Sequence, residues 1–181
     1  MRFGPVALAQ AQGAILAHAI ALPGGKLRKG RVLDAADLAR LAQAGLAEVI
    51  VAQPGAGDVL EDAAARRLAA ALVPDPDGQG LTCEQAFTGR VNIRATGPGI
   101  LALDHAAIGR LNAIDPMITL ATLAPYQRVA AGMMVGTVKI IAYAVPGDAL
   151  AQACAAGAGA LRRMPPRVGR VDLIVTQIRA A

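Results

Sequence analysis

The segment Pro74-Asp-Pro-Asp-Gly-Gln-Gly80 constrains the fold more than any other part of this chain. Proline at two alternate positions removes backbone donors, and turn formers fill the places between, so no regular ladder is expected to run through it. The break predicts two lobes, residues 1–73 and 81–164, followed by a linker and one further strand in 165–181. The 181 residues are 55% hydrophobic and only 17% charged, enough apolar material for a real core and a poor fit to disorder or a charged coiled coil.

In the first lobe, residues 13–21 are rich enough in branched side chains for a buried strand, and Pro23-Gly24-Gly25 then turns the chain. Asp34 is placed to cap a helix over 35–44, with Asp37 at the third helical position, where the free amides favour an acid. Gly45 suits a left-handed stop, and residues 48–52 read as a strand, giving a strand-helix-strand unit. A second helix is expected over 58–72. Beyond the break, residues 81–87, 90–95 and 100–103 read as short strands, and Asp104 caps a helix running to about Ala113. Residues 118–123 and 135–145 carry β-branched residues at strand density, and 149–161 reads as a helix. The expected fold is thus α/β or α+β, with mixed sheets in two lobes, the first small and the second larger and strand-rich. Residues 168–178 resemble a buried strand with no crossover helix after it, so either the chain is a fragment or this strand is an edge of the preceding sheet.

Eighteen basic residues against thirteen acidic ones leave a formal charge of +5, and the basic residues are scattered apart from Lys26–Arg31 and the group Arg162, Arg163, Arg167 and Arg170. With two Phe, two Tyr and no Trp, the stacking platform of a single-strand nucleic-acid binder is missing, and no duplex-reading motif accompanies the charge. A pull on small anionic ligands fits better. No apolar run reaches the roughly 18 residues of a membrane span. Residues 3–23 imitate a signal peptide, but Gln10, Gln12, Gly13 and His18 interrupt the run, so the expected location is the cytoplasm.

Two segments carry candidate chemistry. Thr88-Gly-Arg-Val-Asn92 brings a hydroxyl, a flexible glycine, a guanidinium and an amide within five residues. Arg90 suits a bidentate grip on phosphate, Asn92 suits a donor–acceptor edge, and the plainer alternative has Gly89 in a turn and Arg90 merely solvated. Lys139 lies in an otherwise apolar strand, where a lysine needs an acid or a ligand anion, although Thr137, Lys139 and Ile141 also fit the outer side of a sheet. Cys83 and Cys154 read as small buried hydrophobes, His18 and His105 have no nucleophile or metal-site spacing around them, and no phosphate-loop glycine pattern is present. Asp58, Glu61 and Asp62 read as acids favoured at a helix start.

Residues 25–38 running into 44–51, then Thr88-Gly-Arg-Val-Asn92, then 118–123 with 138–145 together resemble the amino-terminal part of MoeA-like molybdopterin-binding proteins of bacteria, especially those joined to a molybdenum cofactor nucleotidyltransferase domain. The resemblance covers about residues 4–176. It implies a place in molybdenum cofactor biosynthesis, a transferase context, with molybdopterin or molybdenum cofactor as ligand. In that family a MogA-like α/β domain with a glycine- and serine-rich loop and acidic residues binds pterin and metal. Residues 168–176 resemble its first strand, but the loop and acids do not follow, so the resemblance implies an accessory module without its own catalytic residues or metal ligands. Its expected ligand contacts are Thr88, Gly89, Arg90, Asn92 and Lys139, around an anionic pterin. Its expected partners are a MogA-like or nucleotidyltransferase domain, with neither nucleic acid nor membrane. The alternative is a structural region that dimerises or serves as a scaffold for a cofactor-processing enzyme.

Overall fold

The computed structural model describes residues 1–177. Its first lobe contains β1 (Arg2–Ala7), β2 (Ile15–Leu16), β3 (Ile20–Leu22), β4 (Gly25–Leu27), α1 (Ala35–Gln43) and β5 (Glu48–Gln53). β5 lies between β1 and β2 and runs antiparallel to both, while β3 and β4 form a hairpin. The α1 start follows from local chemistry. Asp34 Oδ1 accepts the Asp37 N–H at 2.8 Å and Asp37 answers on the Asp34 N–H, a closed capping box that Arg31 completes by donating to the buried Asp37 carboxylate. Leu41, Leu16, Leu27, Leu33, Val49 and Val51 close the core of this lobe.

The Arg31 guanidinium holds the Asp37 carboxyl below the usual carboxylate range. Its stabilisation is therefore present above the unfolded-chain value near about 3.9 and is lost as pH falls through the lower folded value. Asp34→Ala, which opens the box, is expected to cost about 1 kcal/mol and lower the melting temperature by roughly 2–4 °C, read by calorimetry at pH 7.

The second lobe contains β6 (Asp58–Leu60), α2 (Glu61–Leu72), α3 (Pro76–Gln79), β7 (Leu81–Cys83), β8 (Arg90–Ala95), β9 (Gly99–Leu103), α4 (His105–Asn112), β10 (Ile118–Thr122), β11 (Arg128–Val129), β12 (Met134–Ile140), β13 (Ala144–Pro146), α5 (Gly147–Gly157) and β14 (Leu161–Met164). A four-stranded sheet has the order β10-β12-β8-β7, a three-stranded one β11-β9-β14, and β13 pairs with β6. In β8 the buried residues Val91, Ile93 and Ala95 alternate with outward-facing Arg90, Asn92 and Arg94, the period-two signature of a sheet with one covered face. α2 packs on β8 and β12, α4 on β10, and both helices meet α5. At Gly157 a Cβ would stand 2.5 Å from Leu111 Cδ1, so glycine is what lets α5 approach α4 this closely.

The class is α+β. The sheets are antiparallel rather than mixed: every strand pairing among the described residues is antiparallel, including those of the strand-helix-strand unit. The segment at 74–80, expected as the break between lobes, is a capped turn of helix. Asp75 accepts the Gly78 N–H, and Gly80 ends α3 with φ +63°. Gln79 then drops into the core. α2, grouped by sequence with the first lobe, buries Ala64, Ala65, Leu68, Ala69 and Leu72 in the second apolar cluster, which runs from Ala64 to Leu161. The first cluster ends at Val51. Residues 58–60 form a strand rather than the first turn of that helix, because they pair with 144–146. Residues 168–177 form no strand and pair with no sheet edge; residue 178, where the expected strand would end, lies outside the described residues. No helix among the described residues is long and apolar enough to cross a membrane.

Candidate functional site

Phe87 to Arg90 forms the tip of a hairpin. The Phe87 N–H donates to Arg90 O at 3.0 Å and the Arg90 N–H to Phe87 O at 3.1 Å, with Thr88 at φ +48° and Gly89 at φ +71° between them, the condition of a type I′ turn. A β-branched residue with positive φ is strained, and here the surroundings hold it in place. The Gly89 N–H donates to Asp62 Oδ1 at 2.6 Å, the Ile140 N–H donates to Gly89 O at 2.8 Å, and the Lys139 ammonium donates to Thr88 O. At Gly89 a Cβ would meet Ile140 O at 2.7 Å, so no larger residue fits. Because the Thr88 carbonyl rather than its hydroxyl contacts Lys139, Thr88→Asn is expected to relieve strain and stabilise the fold by about 0.5–1 kcal/mol, read by urea denaturation.

Behind this tip lies a cleft between the lobes, about 440 Å³ in volume. The first lobe contributes Lys29 and Gly30 from the loop after β4, and the second contributes Glu61, Thr88, Lys139, Ile141 and Tyr143. Tyr143 joins the two walls: its hydroxyl donates to Ala17 O at 3.0 Å, and the Lys29 ammonium stands 5.8 Å from its ring centroid. Burial and neighbouring Asp62 push the Glu61 carboxyl up, against the opposing pull of Lys139 and Lys29. The cleft thus pairs two ammonium groups with one half-buried carboxylate, a set suited to a guest with an anion at one end and N–H donors at the other.

The residues expected from sequence divide between this cleft and the open face beside it. Thr88 and Lys139 come together in its wall, and Gly89 fixes the tip that carries Thr88. Arg90 sits opposite Lys139 in the β8–β12 register, on the same face, but outside the cleft lining. Asn92 is committed elsewhere: its Nδ2 donates to Glu84 Oε2 at 2.7 Å and its Oδ1 accepts from Thr137 at 3.1 Å. Arg90, Asn92 and Lys139 thus share one face of the sheet, but of the three only Lys139 lines the cleft, where Lys29 and Glu61 join it. Lys29 lies in the basic cluster visible in the sequence, but only the loop's approach to Tyr143 shows which of its cations reaches the cleft. Glu61 reads locally as a helix-start acid, and the half-burial that gives it chemistry is set by the hairpin tip above it.

Residues 5–53 match a family described as Domain of unknown function (DUF8806). This span falls within the first lobe, the part that supplies Lys29. No curated protein and no solved structure matches the chain.

Proposed function

We propose that the chain is a cytoplasmic binding module for a phosphorylated pterin of the molybdopterin type, presenting or shielding it as an accessory to a cofactor-processing enzyme. The observation that carries this reading is the convergence of Lys29 and Lys139, from different lobes, with Glu61 around one cavity. A phosphorylated pterin offers a phosphate to the two ammonium groups, and its amino and ring N–H donors suit the carboxylate. When bound, molybdopterin supplies sulfur ligands for molybdenum; the residues of this chain hold and orient the organic part. The Tyr143 bond to Ala17 fixes the spacing of the walls, and the Thr88 carbonyl fixes the Lys139 ammonium.

Titration calorimetry with molybdopterin and its nucleotide form tests the reading. Binding is expected, with Lys29→Ala and Lys139→Ala each weakening it by about tenfold, roughly 1.4 kcal/mol. Absence of heat with either ligand, or unchanged affinity in both variants, would overturn it.

A scaffold role is favoured by a different observation. Val171, Leu173, Ile174 and Val175 are 72–88% exposed, a run of apolar side chains that a partner could cover. Under this reading the segment docks onto a MogA-like or nucleotidyltransferase domain, or onto a second copy of the chain. Light scattering at high protein concentration separates the two: a strict monomer excludes the homodimer.

A further inference from the structure

A cavity of about 690 Å³ lies away from the cleft, on one face of the three-stranded sheet. Arg128, Ile100 and Met164 form a single cross-strand row through β11, β9 and β14, so their side chains leave the sheet on the same side. Ile100 is 45% exposed and Met164 38%, and Met133, Pro165 and Pro166 add further apolar wall. Gly99 makes this arrangement feasible, since a Cβ there would stand 2.2 Å from Met164 O and push β14 away.

The charge on this cavity is of one sign. Arg128 and Arg167 line it, no Asp or Glu does, and among the described residues neither guanidinium takes part in an ion pair. Arg163, the neighbour of Met164 in β14, is already used, donating to Pro98 O at 2.9 Å. An apolar floor with two uncommitted guanidiniums is complementary to a molecule with an apolar body and a carboxylate head, in a volume within the roughly 300–1,000 Å³ of small-molecule sites. The adaptable thioethers of Met133 and Met164 suit an aliphatic chain better than a rigid ring.

We propose that this cavity is a binding site for an aliphatic monocarboxylate of medium chain length, separate from the cleft between the lobes. The test is a titration of the full chain, labelled at the methionine methyls, with decanoate, decanol and acetate. Decanoate is expected to shift the Met133 and Met164 resonances in a saturable manner and leave Met1 and Met117 in place; decanol is expected to bind at least tenfold more weakly, and acetate not at all. The Arg128→Gln, Arg167→Gln double variant, its fold checked by circular dichroism, is expected to lose about tenfold in decanoate affinity and none for decanol. Equal affinity for decanol and decanoate, shifts spread over all the methionines, or no saturable shift at Met133 and Met164 would each overturn the proposal.

Discussion

Gln79→Leu is expected to lower the stability of the chain by about 3 kcal/mol, as a fall in the urea midpoint at unchanged slope. Gln79 is buried, and its amide serves three backbone groups: Nε2 donates to Leu72 O at 2.9 Å and to Leu161 O at 2.6 Å, while Oε1 accepts the Asp75 N–H at 3.0 Å. Leu72 O belongs to the last turn of α2, where carbonyls have no partner within the helix, and Leu161 O belongs to the first residue of β14. One side chain therefore ties the end of a helix to the start of a strand. Leucine has similar bulk, so the substitution removes the bonds without opening a large void, and the loss measures two buried carbonyls left without donors. Asp75 is exposed, and water can replace the bond to its N–H. Gln79→Glu is expected to be worse at neutral pH, because it sets a carboxylate against two carbonyl oxygens. A loss below about 1 kcal/mol for Gln79→Leu would mean that water reaches those carbonyls.

The same residue shows where sequence and structure part. The start of α1 was legible because its determinants lie within three residues: Asp34, Asp37 and the amides between them. The outer side of β12 was legible as one of two readings, with Thr137 and Lys139 on one face, because alternation is local too. Gln79 sits among prolines and glycines, in a peptide whose composition signals a turn, and its decisive partner is 82 positions away at Leu161. The division between lobes moved for the same reason: turn chemistry at 74–80 is real, but whether a turn separates two cores depends on where α2 packs. Residues 168–177 have the composition of a strand, and composition cannot supply the neighbouring edge that makes one. In the cleft, Lys139 could be singled out as a lysine out of place in its strand. Lys29 and Glu61 look ordinary in their own segments and gain chemistry only where the lobes meet.

Glu61→Gln is expected to move two affinities in opposite directions, which distinguishes a cleft that reads a pterin from one that only attracts anions. The carboxylate shares the cavity with Lys29 and Lys139 and lowers the positive potential that a phosphate meets. Neutralising it should strengthen binding of inorganic phosphate by a few fold. For a phosphorylated pterin the same change removes a charged acceptor from the N–H edge, a contact of about 1.5–3 kcal/mol, so affinity should fall by roughly tenfold or more despite the gain at the phosphate. pH gives the matching result without a mutation. Burial raises the Glu61 carboxyl, so acidification protonates it in the empty cleft before ordinary surface carboxylates, and pterin binding should weaken as pH falls through that raised value. In the Gln variant that step should be absent. If both ligands gain affinity from Glu61→Gln, the carboxylate makes no contact with the guest and the cleft selects for charge alone.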